Sequence, residues 1–415
     1  MNLLTGLGRL EKTAFIFFCL FSLLQCLSNA AANIALGIAV FFIVLHIISE
    51  FKENIFSSFN KILIENKRLV VLFLFFWLTL FLSALFSGEP TQGLKVFFGQ
   101  IVYRSFPFFI ILFVFPKSKY AAFFLFLSLI SCTIDVVGGM IVHGGETRMK
   151  GLYGHPMTLA GFLVIQMPIL FGLLLDWKQK WSSLLACICL FLISFAGLLL
   201  NGTRGAWLSL AVAIPVLTLL YDRSIKKILF LAFFAFSTAL IFVNSANLQS
   251  RAESITSTTL QSNTERILIW QSAYQMFKDH PFWGVGLGQY TSKYLNEYKS
   301  NQAKENLRHA HNNFMQMLAE NGFLGFISFV SLFGYILISS LRASLQSFSP
   351  YSVLIFSCTL ALLLQGLTEY NFGNSAVIKY FWVVLGCLIV LMRQNSPLNL
   401  ILPLKPKVIS KKSNS

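Results

Sequence analysis

The chain has 415 residues, 56% of them hydrophobic and 12% charged, with a mean hydropathy of +0.70 and a net charge of +16. So apolar a composition excludes an ordinary soluble domain, and 44 Phe point to repeated membrane spans. Lys and Arg fall mostly in short connectors between apolar runs, which argues against a nucleic-acid binder and for a polytopic membrane protein.

A span needs about 17–25 mostly apolar residues. Twelve such stretches occur, at roughly 13–28, 30–49, 69–87, 97–115, 119–142, 157–176, 181–200, 205–221, 226–244, 322–341, 351–369 and 375–393. Arg9 and Lys12 ahead of the first resemble a signal peptide, but a second span follows at once, so a retained helix is expected. Placing both termini inside puts Arg9, Lys12, Lys52, Lys61, Lys67, Arg68, Lys117, Lys119, Lys178, Lys180, Arg223, Lys226, Lys227, Arg342, Arg393 and the tail lysines on the cytoplasmic side. The expected fold is an all-α integral membrane protein of about twelve transmembrane helices, a single polytopic domain over 1–415. One long helical loop, 245–321, lies outside between spans nine and ten. The seven cysteines sit inside apolar runs and form no disulfide framework or metal spacing.

Basic residues that break this pattern are informative, because charge at membrane depth is costly. Arg104 lies within span four, Arg148 and Lys150 in the outer loop 143–156, and Arg204 in Asn-Gly-Thr-Arg-Gly-Ala-Trp between spans seven and eight. The bland alternatives are snorkelling to the headgroups for Arg204 and a pair with Glu89 or Asp135 for Arg104.

The long loop starts with a polar stretch expected to be irregular. Ser262-Asn263-Thr264-Glu265 has the capping-box pattern, and a helix to about Lys278 follows with Ile267, Trp270, Tyr274 and Phe277 on one face. Its apolar face predicts that it lies on the bundle or in the interface. His280-Pro281 stops it, Gly284, Gly286 and Gly288 make a turn-rich link, and a polar helix is expected at about 290–305. Arg266, in the first turn of the capped helix, would favour an anionic ligand there; the alternative is a salt bridge to a loop carboxylate.

The loop closes on His309-Ala-His311-Asn312-Asn313, leading into span ten. A neutral imidazole can take a proton from a hydroxyl, so His311 and His309 are candidate bases, against the plain reading of solvated loop-end residues. The outer face collects Arg148, Arg204 and Arg266 with this pair, and possible additions are Arg104, Lys150 and Asn312. Arginines at a membrane surface suit a diphosphate, which they grip with paired hydrogen bonds. Transfer from a lipid-linked diphosphate to an alcohol fits the set. No acidic cluster on the outer side offers a divalent-metal site, so metal-independent chemistry without a cofactor is expected.

The pattern resembles the bacterial O-antigen ligase family, which shares a domain with O-antigen polymerases and protein O-oligosaccharyltransferases. The specific piece is His-Asn, nine residues, Gly, two residues, Gly: here His311-Asn312, Gly322 and Gly325. Thr203-Arg204-Gly205 and Glu265-Arg266 are similar to the family's arginine segments. Arg148 through Gly154-His155-Pro156 resembles an outer-loop segment that often ends Gly-Asn-Pro, with His155 a departure. The resemblance implies a GT-C-type glycosyltransferase of the bacterial inner membrane that moves O-antigen from undecaprenyl diphosphate to a sugar of lipid A–core on the periplasmic side. It implies His311 as base, Arg204 and Arg266 on the diphosphate, and inversion at the anomeric carbon. The rivals are a polymerase, with a second lipid-linked glycan as acceptor, and a protein O-oligosaccharyltransferase. From another class comes a twelve-span transporter or flippase, against which count the absent repeats and the gathering of charge on one face.

Overall fold

The computed structural model describes residues 3–49, 60, 62–146, 148–176, 180–221, 224–254 and 261–394. Lys52, Lys61, Lys178, Arg223 and the tail lysines lie outside the described residues. The described chain is helical, with no strand, and its helices in order are α1 (Arg9–Leu24), α2 (Asn29–Ser49), α3 (Lys67–Leu85), α4 (Pro90–Val114), α5 (Ser118–His143), α6 (Pro156–Leu174), α7 (Trp181–Asn201), α8 (Arg204–Tyr221) and α9 (Ile225–Val243). Beyond the ninth come α10 (Ala246–Glu253), α11 (Gln261–Asp279), α12 (Tyr290–Lys293), α13 (Asn313–Gln346), α14 (Pro350–Gln365) and α15 (Ser375–Arg393).

Each of the twelve apolar stretches falls on a helix. Ten are long and apolar enough to cross a membrane, while α1 and α14 have 16 residues each, about a turn short of a full span. This is a multi-pass, all-α integral membrane protein. Helices apolar all round go to the centre: α6 and α15 are buried along almost their whole length. α9 buries no residue and stands at the rim. Around the centre α1 pairs with α2, α8 with α14, and α13 with both α3 and α14. A polar node crosslinks the core: the Gln166 amide donates to Thr133 and Ser194 and accepts from the Tyr380 hydroxyl, leaving none of the three helices it joins to α6 an unmet polar group there.

The connection between α9 and α13 differs from expectation in three places. Its start is a short helix, α10, with the Ser245 side chain accepting from Leu248 N–H. On α11 the buried face is Leu268, Ile269, Ala273 and Met276, while Ile267 and Tyr274 are exposed. The face read from aromatic spacing is therefore one residue out of register, because small residues (Ser272, Ala273) let α11 approach α13 closely. The polar helix expected at 290–305 is only α12 and a wide turn over Tyr294–Tyr298, after which the backbone is irregular up to Asn312.

Span ten begins earlier than its apolar run. α13 starts at Asn313 and is broken at Gly322, whose φ of 62° lies in the left-handed region. Into the break fits the glycine-rich turn. Val285 and Gly286 N–H groups donate to the Ala319 and Glu320 carbonyls, and Phe323 N–H donates to Pro281 O. A side chain at 322 would meet Phe282 O and Gly284 N, so both the backbone angle and the close approach require glycine. The buried Glu320 carboxylate then accepts from the N–H groups of Gly288 and Tyr290 and from Gln316, which makes it a brace for the turn and not a free base.

Candidate functional site

Where α6, α8, α10, α11 and α14 end together, the structure holds a cavity of about 510 Å³, within the range of ligand pockets. Arg148, Arg204, Arg251 and Arg266 line it, with Glu265, Glu305, Glu369 and His311. Three of these arginines and His311 were expected; Arg251 was not.

The segment Asn201-Gly202-Thr203-Arg204 assembles one wall. The buried Asn201 amide donates to Met149 O and Pro156 O, which fixes the loop carrying Arg148. Gly202 ends α7 at a φ of 63°, and Arg251 Nε packs over it, donating to its carbonyl at 2.8 Å. Thr203 takes a hydrogen bond from Arg148 at 3.0 Å. Arg204, in the first turn of α8, donates from one nitrogen to Ser254 O and Oγ, and from the other to Ser262 Oγ and Asn263 Oδ1. Its guanidinium therefore ties α10 and α11 to α8 while facing the cavity. Ser262 does not act as half of a capping box, because Glu265 turns to the backbone N–H groups of Lys304 and Glu305.

The cations are crowded. Burial, then the charges of Arg251 and Arg204, push Arg148 down to about 10. Arg266 is lowered by burial and by Arg204, against the pull of Glu369. Two buried donors facing this region, Arg148 Nε and Gln365 Nε2, have no partner among the described residues, so donor capacity there is in surplus. A site with spare buried donors and mutually repelling guanidiniums is built for an anion.

The same cavity is lined by a pair that sequence reading missed in part. His311 Nδ1 is 3.1 Å from Glu369 Oε2. Burial would raise the Glu369 carboxyl, but the hydrogen bond with His311 and the charges of His311, His309 and Arg266 outweigh it and hold it below the usual range. His311 has a φ of 48°, alone among described non-glycine residues in the left-handed region, a cost that tends to persist at functional sites. Two asparagines fasten the Glu369 loop to it. Asn312 caps α13 through its side-chain oxygen and donates to Leu367 O; Asn313 N–H donates to Gly366 O, while its side chain engages Asn371 and Phe372 N–H. Glu369 escaped notice because it closes an apolar run. The turn residues that follow, Asn371-Phe-Gly-Asn374, were the available signal that the run ends in a loop.

The other candidates fall outside the cavity wall. The His309 ring stacks near His311, 4.1 Å between centroids, and burial, then the charge of His311, push it down to about 4. Lys150 pairs with Glu146 at 2.8 Å on the surface. Arg104 pairs with neither Glu89 nor Asp135: it donates to Gly373 O and Gln100 Oε1, bracing the loop behind Glu369. His309, His311 and Glu369 place donor atoms within 4.8 Å of one another, a grouping that the search for acidic clusters did not include.

Fold and site define a class: a multi-pass helical membrane protein with an arginine-lined cavity and a His–Glu pair at one end of its bundle. Residues 189–330 match the family described as O-antigen ligase, a stretch that runs from α7 through Arg204, Arg251, Arg266 and His311 into α13. That match is consistent with a member of the O-antigen ligase/polymerase superfamily. It is also similar to an uncharacterized protein of Haemophilus influenzae (strain ATCC 51907 / DSM 11121 / KW20 / Rd), 24% identical over 291 residues, covering 64% of this chain and 70% of the relative.

Proposed function

We propose that this protein is an O-antigen ligase: a metal-independent, inverting glycosyltransferase that moves a glycan from undecaprenyl diphosphate to a sugar hydroxyl of lipid A–core. The observation that carries the reading is the His311–Glu369 pair at 3.1 Å on the rim of a cavity lined by four arginines. With Nδ1–H directed at Glu369, Nε2 keeps its lone pair for the acceptor hydroxyl. As that oxygen bonds to the anomeric carbon, its proton passes to Nε2 and the bond from carbon to the diphosphate oxygen breaks. The leaving diphosphate departs as an anion and needs charge neutralisation, which Arg148, Arg204 and Arg266 supply in place, with Arg251 beside them. Glu369 stabilises the imidazolium formed on the way.

In this reading the chain is one polytopic domain of twelve spans in the bacterial inner membrane, both termini cytoplasmic. The 245–321 loop and the site face the periplasm, where the basic residues of the short connectors are sparse. The test is transfer in vitro with purified protein, undecaprenyl-diphosphate glycan and lipid A–core, in the presence of EDTA. Product that survives EDTA and is lost in His311→Ala supports the reading. Lengthened lipid-linked glycan with nothing on lipid A–core would make the protein a polymerase.

A further inference from the structure

Among the described residues, His309, His311 and Glu369 form the one group of three His, Cys, Asp or Glu side chains whose donor atoms converge, one from each lying within 4.8 Å of the others. A zinc-class ion takes imidazole and carboxylate ligands at about 2.0–2.2 Å, which sets tetrahedral donor atoms about 3.3–3.6 Å apart. His311 Nδ1 and Glu369 Oε2 stand at 3.1 Å. Replacing the proton between them by an ion therefore opens that pair by a few tenths of an ångström, and a small side-chain rotation brings in His309.

We propose that His309, His311 and Glu369 bind a divalent ion of the zinc class, and that occupancy inhibits the enzyme. An ion on His311 Nδ1 forces the ring proton onto Nε2, the nitrogen that has to accept one from the hydroxyl. It also takes the carboxylate that steadies the imidazolium. Four arginines line the adjoining cavity and oppose a second cation. Affinity therefore falls short of a structural zinc site and rises with salt, as screening weakens the repulsion. The binding stands on the donor geometry; the inhibition rests on the transferase reading above.

The experiment is calorimetric titration of Zn²⁺ into the purified full-length protein in detergent, with the bound metal counted after gel filtration. Wild type is expected to take up one ion per chain. His309→Ala and Glu369→Gln weaken binding at least about tenfold. In the transfer assay Zn²⁺ inhibits over the same concentration range, and EDTA restores activity. No uptake by wild type, or equal uptake by His309→Ala and Glu369→Gln, overturns the site. Uptake with undiminished transfer overturns the inhibition. Uptake that both variants lose, in a preparation without transferase activity, supports the site and counts against the transferase reading instead.

Discussion

Glu369→Gln separates orientation of the base from grip on the donor. Glu369 is 7% exposed, and its Oε2 lies 3.1 Å from His311 Nδ1. The amide keeps the volume and an oxygen that can accept from Nδ1–H. The loop keeps its clamps too, since Asn312 holds Leu367 O and Asn313 holds Gly366 O and Asn371. What disappears is the negative charge facing an imidazolium. A hydrogen bond to a charged group contributes about 1.5–3 kcal/mol, which corresponds to a fall in kcat of roughly 10–100-fold. In the proposed mechanism the arginines, not Glu369, hold the donor diphosphate, so the donor KM should move by less than about threefold. The assay is steady-state transfer to lipid A–core with the donor varied, on protein whose elution from gel filtration matches wild type. A kcat within about twofold of wild type, or a loss that lies wholly in KM, would refute the assignment of Glu369 as the partner of the base.

Arg204→Lys should fail differently: a lysine keeps the charge but cannot make the four bonds to Ser254, Ser262 and Asn263, so the donor KM rises at least about tenfold and limited proteolysis opens the 246–279 region. An unchanged KM would leave Arg204 a mere anchor of its turn. Gly322→Ala places a Cβ against Phe282 O at a left-handed residue. The backbone angle alone costs about 1–3 kcal/mol, so the variant should melt well below wild type, and an unshifted melting temperature would contradict the broken-helix packing. His309 gives a pH signature. Its folded-state value is pushed from 6.5 to about 4, so the fold disfavours its charged form. That contribution is whole above about 6.5 and is lost as pH falls from there towards 4. Glu369, held below the usual carboxylate range, begins to lose its own contribution only under about pH 4.5. Melting temperature should therefore drop between pH 6.5 and 4.5 in wild type and stay flatter there in His309→Gln; parallel curves would exclude His309 as the source.

Most of the bundle was legible because bilayer thickness and helical rise leave few choices: each apolar run of sufficient length fell on a helix, within a few residues at most ends. The misses occur where hydropathy stops being the organising signal. α13 begins nine residues before its apolar run, because polar residues from Asn313 to Asn321 are buried against the loop and not against lipid. The face of α11 was misread because in a loop helix packed on protein, close approach by Ala273 and Ser272 outweighs the area of Tyr274. Arg251 carries no local pattern at all: it joins the cavity only because α10 folds back over the end of α7, a long-range fact without a short-range trace.

The His-Asn motif shows how far a spacing can be read. From sequence, Asn312 is an appendage to a catalytic histidine. In the fold it caps α13 and, with Asn313, brackets the loop that carries Glu369, so that His311 and Glu369 are held by adjacent residues of one turn. The strained backbone of His311 is affordable because these bonds over-determine its place. The glycine at 322 belongs to the same device, since the break in α13 admits the 281–286 turn that α11 needs in order to lie against α13, with Arg266 facing the cavity. A motif that looks like one histidine and two small residues thus encodes two alignments, His311 to carboxylate and His311 to arginine. Loss of either should silence the site without touching the histidine.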